Sequence, residues 1–326
     1  MSHDPEALRD LLGPDAMLCR RAITGEHGVS LPPFTDHHVH LHLIDETQLA
    51  TGGIAGVVDL GGDPVALARR ENHRIPRVAY AGAFLTAPGG YPVGRPWAPP
   101  QITREILDPS THPGVPGGAA TAVDEQASCG ASVIKASLNE TAGPVLDGAT
   151  LGAIVTVARE RGLPVVAHAE GDGMPQLALD AGVDVLAHTP FTEFVGRAFT
   201  AHAVKAGQIW ISTLAIHRDD PQAAEFARVN LAGFAAAGGR VLYGTDLGNG
   251  DQPVGVNPDE VAALDGAGVR GAALIAALTD PWPTADAPSG VSTFVPGPPP
   301  TRLDEVAEWL RGATVVPSEE LVHDDH

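Results

Sequence analysis

The 326-residue chain is 44% hydrophobic and 18% charged, which is typical of a soluble globular protein with ample sequence for a large core. Its formal net charge of -20 argues against nucleic acids, anionic membrane surfaces and phosphate-rich substrates, because all three would repel it. Cys19 and Cys129 form neither a metal motif nor a disulfide framework, and the sequence contains no signal-peptide pattern and no run of membrane-spanning length. We therefore expect a cytoplasmic protein.

The predicted elements begin with a short helix over 4–12 and a strand over 17–23. From residue 34 onward, short apolar runs recur, separated by helical patterns or by turns rich in Gly, Pro and Asp. The eight predicted strands of this part span 34–41, 54–60, 78–85, 132–138, 164–168, 183–188, 209–214 and 241–246. Helix-length segments lie at 64–71, 151–161, 174–181, 194–206 and 221–237.

This alternation predicts an α/β fold. Most of the strands are apolar nearly throughout, as expected for a parallel sheet that is buried on both faces. A (β/α)8 TIM barrel over 34–280 is the simplest closure of eight such strands. A doubly wound open sheet is the alternative, although no Gly-x-Gly-x-x-Gly fingerprint follows the first strand.

The interval 87–118 is rich in Pro and Gly and far longer than a usual connection. Long loops at the carboxyl ends of barrel strands commonly cover the active site, so this one is a candidate lid carrying Tyr91 and Trp97. A flexible surface insertion is the alternative. Farther along, the sequence predicts one or two helices over 258–278, a proline-rich stretch over 281–300, an amphipathic helix over 301–310 and a frayed end over 319–326.

The first strand of the predicted barrel ends in a cluster of imidazoles, within 34–42. His38 and His40 share one face of a strand and lie about 7 Å apart along it. That spacing allows both side chains to bind one metal ion. A strand end with solvated histidines fits a single His-x-His motif equally well.

Polar residues also end three later strands and interrupt a fourth. His168, His188 and Asp246 close their strands, and Lys135 lies inside the strand at 132–138. Because the carboxyl ends of barrel strands meet where the pocket opens, these side chains would converge. Singly, a histidine could belong to the core and Asp246 could cap a helix; together they favour a catalytic site.

Lys135 and Lys205 are the only lysines, and Lys135 lies in an apolar strand. A buried ammonium must lose its proton, reach solvent or meet an anion, because an unpaired buried charge is very costly. A neutral amine can take up carbon dioxide to give a carbamate, an anionic group able to bridge two cations. An ion pair with Asp59 or Glu170 is the alternative.

These residues, in this order, resemble the amidohydrolase superfamily of metal-dependent hydrolases, and most of all its imidazolonepropionase-like and prolidase-like branch. The resemblance starts at Asp36-x-His38-x-His40, whose leading Asp selects His38 and His40 over His40 and His42. It continues through 53–59, 86–90, Ile134-Lys135, 182–184 with 188–190, and 244–246. It covers most of the chain, from about residue 30 to residue 280.

The resemblance implies a binuclear metal site. Its ligands would be His38, His40 and Asp246 for one ion, His168 and His188 for the second, and carboxylated Lys135 with a hydroxide as bridges. Two divalent ions, zinc by default, and carbon dioxide as the Lys135 carbamate would be the cofactors.

The resemblance also implies roles in catalysis. Asp246 would take a proton from the hydroxide and deliver it to the leaving nitrogen. From their location at the predicted rim alone, and not from the resemblance, Tyr91, His217 or Asn249 would orient a small-molecule substrate. Members of the superfamily typically carry a small β-sandwich, and here 1–33 and 281–326, with strand-like runs at 291–295 and 314–316, would supply a reduced version.

We therefore expect a hydrolase of C–N bonds in amides or cyclic amides other than typical peptide bonds. A mononuclear deaminase is the second reading, although deaminases usually carry an acidic residue three positions after the strand-five histidine, whereas Glu170 follows His168 at two. The same site would also suit lactones or phosphate esters. A scaffold protein without catalytic activity is the non-enzyme alternative. The sequence leaves the oligomeric state open, and a homo-oligomer is compatible with it.

Overall fold

The structure, a computed structural model, describes residues 4–71 and 74–323. Its strands are β1 (Met17–Arg21), β2 (His27–Leu31), β3 (Phe34–Val39), β4 (Ile54–Asp59), β5 (Arg77–Tyr80), β6 (Phe84–Thr86), β7 (Thr103–Glu105), β8 (Ile134–Asn139), β9 (Val165–Glu170), β10 (Val185–Leu186), β11 (Ile209–Ile211), β12 (Arg240–Leu242), β13 (Val291–Pro296), β14 (Thr314–Pro317) and β15 (Leu321–His323). Its helices are α1 (Pro5–Leu12), α2 (Pro64–Ala68), α3 (Ala119–Ser128), α4 (Gly148–Glu160), α5 (Met174–Asp180), α6 (Arg197–Ala206), α7 (Pro221–Ala236), α8 (Pro258–Gly266), α9 (Ala272–Thr279) and α10 (Val306–Leu310).

Parallel strands form the centre of the molecule. One sheet has seven strands in the order β12-β11-β10-β9-β8-β6-β7, and a second has three in the order β3-β4-β5. The Ser132 N–H donates to the Tyr80 carbonyl, and the His37 N–H donates to the Tyr243 carbonyl, so backbone hydrogen bonds link the two sheets. The expected α/β fold with parallel strands is confirmed. The closed TIM barrel is not, because the described strands lie in two sheets.

The third predicted strand, 78–85, is wrong as a single element. Its first part is β5, which pairs with β4, and its second part is β6, which pairs with β8 and β7. Gly82 lies between them with a φ of +76°, a conformation that glycine adopts without the steric cost of a Cβ. A side chain there would also collide with the Gln126 amide. The chain therefore leaves one sheet and enters the other at this glycine.

Several helices begin at a side chain that caps them. Asp4, Asp63, Asp147, Asp220 and Asn257 each accept backbone N–H groups at the start of the following helix. Four of these helices also place proline in their first turn, where its missing N–H costs nothing. These local signals explain why most helices begin close to the predicted residues. The region 258–278, predicted as one or two helices, forms two, α8 and α9.

Four elements were not predicted: β2, α3, β7 and β15. The strand β7 lies inside the expected lid and pairs with β6, so part of that interval is built into the sheet. The expected frayed end is wrong over 319–323, where a 3-10 turn (Ser318–Glu320) leads into β15. Residues 324–326 lie outside the described residues.

The two ends of the chain share one antiparallel sheet, ordered β14-β13-β2-β1-β15. The strand-like runs at 291–295 and 314–316 correspond to β13 and β14. The described terminal strands thus make one sheet in place of the expected small sandwich. No helix among the described residues is long and apolar enough to cross a membrane.

Candidate active site

A cavity of about 420 Å³ lies against the central strands. Every sequence-predicted metal ligand or catalytic residue contributes to its wall: His38, His40, Tyr91, Lys135, His168, His188, His217 and Asp246. They reach it from β3, β8 and β9 and from segments that follow β3, β6, β10, β11 and β12. The structure therefore brings together residues more than 200 positions apart, while their roles stay predictions.

His38, His40 and Asp246 form the most compact group. The Nε2 atoms of His38 and His40 lie 3.1 and 3.2 Å from the same Oδ1 of Asp246. The opposite ring nitrogens lie near carbonyl oxygens, at 2.9 Å from Ala187 and 3.3 Å from Gly61. Since carbonyls only accept, each Nδ1 carries a proton, and each Nε2 is the ring nitrogen that faces the carboxylate.

That arrangement fits a divalent cation. The three ligand atoms lie within 4.8 Å of one another, and all three residues are buried. Burial lowers the pKa of His38 well below its usual value. Burial alone would raise the pKa of Asp246, but the neighbouring His38, His40 and His188 hold it well below its usual value. Two imidazoles and one carboxylate are a common ligand set for zinc and other first-row ions.

His188 lies between this group and His168. Its ring centre is 4.7 Å from that of His38 and 4.9 Å from that of His168. The Nδ1 of His188 lies 2.9 Å from the Thr213 hydroxyl, which leaves its Nε2 available for another partner. The Nε2 of His168, by contrast, lies 3.0 Å from a carboxylate oxygen of Glu170. His168 thus lines the cavity but has a protein partner at that nitrogen.

Lys135 is only 1% exposed and forms no ion pair within the described residues. Burial lowers the pKa of its ammonium to about 7, so much of the amine is neutral near neutral pH. The alternative ion pair with Asp59 or Glu170 is not present. Both carboxylates have other partners. Asp59 accepts hydrogen bonds from the backbone N–H groups of Leu41 and Gly61, and Glu170 is hydrogen-bonded to His168.

Asp36, the first residue of the Asp-x-His-x-His motif, connects β3 to the segment after β12 that carries Asp246. Its carboxylate accepts the N–H of His38 at 3.1 Å and both the N–H and the hydroxyl of Thr245, at 3.0 and 2.6 Å. Burial raises its pKa to about 7. Asp36 is therefore a positioning residue that ties His38 to the segment bearing Asp246.

Two residues beside the cavity have positive φ angles without being glycine: Thr213 at 44° and Asp246 at 54°. Such conformations cost about 1–2 kcal/mol and persist only where the surroundings enforce them. The strained Thr213 directs its hydroxyl at His188, and Asp246 accepts a hydrogen bond from Asn249 at 2.8 Å. The two strained residues are thus Asp246, a candidate ligand, and Thr213, the hydrogen-bond partner of another.

Aromatic rings cover the cavity on the side of the long loop. Tyr91 stacks on His168 with ring centres 5.3 Å apart, and Trp97 lies 6.1 Å from His40. Burial raises the pKa of the Tyr91 hydroxyl above its usual value. On another side, the His217 ring lies 4.3 Å from Phe191, and burial lowers the pKa of His217 to about 4. The long loop therefore contributes directly to the wall, as the candidate lid requires.

Glu170, Thr213 and Phe191 were not predicted as site residues. Glu170 had a signal, since it follows His168 by two positions and shares its strand face. Thr213 had none, because its importance comes from a contact with His188, 25 residues away.

No known protein-family model matches this sequence, and no curated protein matches it. Solved structures do match in fold. A Xaa-Pro dipeptidase with bound methionine is 18% identical with a TM-score of 0.68, covering 90% of this chain and 86% of the other. A prolidase complexed with N-methylphosphonate-L-proline is 20% identical with a TM-score of 0.64, covering 90% and 86%. A bottromycin amidohydrolase is 19% identical with a TM-score of 0.61, covering 98% and 92%. At these identities, the matches show that the chain shares the fold of these proteins.

Proposed function

We propose that this protein is a metal-dependent hydrolase that cleaves a C–N bond in a small amide or cyclic amide. The observation that carries the proposal is the convergence of the four histidines proposed as ligands, one aspartate and one buried lysine on a single cavity. The fold shared with a Xaa-Pro dipeptidase, a prolidase and a bottromycin amidohydrolase supports it.

We also propose that the parallel strands form a (β/α)8 barrel over 34–280, with a terminal β subdomain from 1–33 and 281–326. The hydrogen bonds from Ser132 to Tyr80 and from His37 to Tyr243 support this, because they join the two sheets at two places: β5 to the segment before β8, and β3 to the segment after β12. An active site at the carboxyl ends of the strands is the usual arrangement for such a barrel.

The residues present would hold two divalent ions. His38, His40 and Asp246 would bind one, His168 and His188 would contribute to a second, and Lys135, carboxylated by carbon dioxide, would bridge them. Lys135 suits this role because it is buried, unpaired and partly neutral near pH 7. Divalent ions bound there would lower the pKa of a water molecule and polarise the scissile carbonyl.

The protein groups would then position the substrate and move a proton. Asp246, kept ionised by its histidine neighbours, would accept a proton from the attacking water and pass it to the leaving nitrogen. The Asn249 amide fixes one carboxylate oxygen of Asp246 at 2.8 Å, which orients that transfer. Tyr91 and His217, on different sides of the cavity, would orient the substrate and exclude water.

A single-ion deaminase is the second candidate, and one observation favours it. Among the described His, Cys, Asp and Glu residues, only His38, His40 and Asp246 form a compact group of three ligand atoms. The Nε2 of His168 faces Glu170 instead. His168 could bind a second ion through Nε2 only if its contact with Glu170 were broken. A site that binds one ion through His38, His40 and Asp246 does not require that change.

The number of metal ions per chain distinguishes the two-ion hydrolase from the single-ion deaminase. Wild type, Lys135→Ala and Lys205→Ala would be purified with zinc and bicarbonate and measured by elemental mass spectrometry. Lys205 is a matched control, because it is the only other lysine and lies exposed on α6. We expect two ions in wild type and Lys205→Ala, and one or none in Lys135→Ala. One ion in all three proteins would contradict the bridging role.

Activity tests the reaction itself. We expect amide hydrolysis that a chelator abolishes and zinc restores, with kcat lowered by about 10²–10⁴-fold in Asp246→Asn, since the amide cannot take up the proton. Ammonia release from amino-substituted heterocycles, without amide cleavage, would favour the deaminase. Complete inactivity toward amides, amino-heterocycles and lactones in the metal-loaded protein would contradict the proposed hydrolase.

A further inference from the structure

Apolar aromatic surface lies on two sides of the candidate metal ligands. One wall joins Phe84, Trp97 and Tyr91, whose neighbouring ring centres are 6.1 and 5.9 Å apart, and it adjoins His40. The other wall is Phe191, whose ring centre lies 6.0 Å from that of His188. A substrate held with its scissile bond at the ligands would therefore lie close to aromatic rings beside His40 and beside His188.

Cations for a substrate carboxylate are missing from these walls. Among the described residues that line the cavity there is no arginine, and the one lysine is Lys135, which is buried with the ligands. The nearby Arg95 stacks its guanidinium 5.8 Å from the centre of the Tyr91 ring, and Arg218 donates to the Asp251 carbonyl. Neither belongs to the cavity wall.

Negative charge lies where a substrate would extend. Glu170, Phe191 and His217 also line a neighbouring space of about 750 Å³. The acidic residues around that space are Glu140, Glu170, Asp172 and Asp220. A substrate carboxylate pointing that way would meet like charge, and one pointing toward the aromatic walls would lose water without gaining a partner.

We propose that this site accepts amides whose groups on both sides of the scissile bond are apolar or aromatic and carry no free carboxylate. The inference rests on the proposed hydrolase function. Carboxylate recognition in proteins usually depends on arginine or on a free ammonium, and the wall offers neither. A dipeptide with a free carboxyl end is accordingly a poor substrate here.

The test uses the full chain loaded with zinc and bicarbonate and one matched pair of substrates. N-benzoyl-2-phenylethylamine and N-benzoyl-L-phenylalanine share the same skeleton and differ in the carboxylate, and both release benzoate. We expect kcat/KM to be about tenfold or more higher for the phenylethylamine, from the repulsion and the unpaired charge. The acetyl analogue of the phenylethylamine should be hydrolysed more slowly than the benzoyl compound, since it lacks one ring.

A variant that adds a cation to the cavity wall tests whether the missing cation explains the preference. Ile216 lines the cavity and is half-buried, so Ile216→Lys would place an ammonium in the wall, and Ile216→Gln is its neutral control. We expect Ile216→Lys to lower the preference for the carboxylate-free substrate by about tenfold, and Ile216→Gln to leave that ratio unchanged.

The outcomes separate the inference from the proposed function. Hydrolysis of N-benzoyl-L-phenylalanine or of dipeptide acids at rates equal to or above those of the carboxylate-free amides would overturn the inference and leave the hydrolase standing. Loss of that acid activity in Arg95→Gln would identify the cation responsible. Absence of amide hydrolysis with any of these compounds would overturn the hydrolase function itself, and the inference with it.

Discussion

Glu260 links stability to pH through a contact behind the candidate active site. It is fully buried on α8, and one carboxyl oxygen accepts the N–H of Ala215 at 2.7 Å, two residues before His217. The other oxygen has no hydrogen-bond partner in the described structure. Burial raises the pKa of Glu260 from 4.5 to about 7. The folded protein therefore binds this proton more tightly than the unfolded chain does.

The sign of the pH effect follows from that difference. Below about pH 4.5 both states are protonated and the stabilisation is fully present. As the pH rises to about 7, the unfolded chain releases the proton first, so wild type loses stability until the folded carboxyl also ionises. A rise in pKa from 4.5 to about 7 corresponds to about 3 kcal/mol, at about 1.4 kcal/mol for each pH unit.

Glu260→Gln removes the titration and keeps an oxygen for the Ala215 N–H. We expect the variant to gain stability relative to wild type as the pH rises from about 4.5 to about 7, by up to about 3 kcal/mol, and to show a constant difference above that. Urea unfolding at a series of pH values measures this. Glu160→Gln, at an exposed position on α4, is the matched control. Parallel stability curves for wild type and Glu260→Gln would refute the raised pKa.

Two other pairs of substitutions test the positioning of His188 and the packing around the site. Thr213→Val removes the hydroxyl at His188 Nδ1 and should weaken zinc binding by about 10–100-fold, whereas Thr213→Ser should retain it; equal affinities in a chelator competition would contradict the positioning role. Gly244→Ala places a methyl group against Ile211 and should lower the free energy of unfolding by about 1–3 kcal/mol. Gly233→Ala, inside α7 with no atom near the added methyl, should raise it by about 0.5–1 kcal/mol, and thermal unfolding that reverses this order would argue against the packing.

The sequence alone predicted most of the strands, the main helices and the candidate metal ligands that line the cavity. Strands and helix starts depend on nearby residues, such as the apolar run of β8 or the capping Asp220, so their signals can be read locally. The candidate ligands could be found because they lie in or just after strands whose ends meet in parallel α/β folds. Elements with weak local patterns, such as α3 and the short β7, were missed.

Only the tertiary structure decided how those residues are held. The division of the third strand at Gly82 depends on which neighbour each half finds across the sheet. Asp36 could be noted in the sequence, but its bonds to Thr245, 209 residues away, could not. The contacts of Thr213 with His188 and of Glu260 with Ala215 also join distant segments. Local sequence carries propensity and pattern, whereas these hydrogen bonds exist only after the chain has brought remote groups together in a buried site.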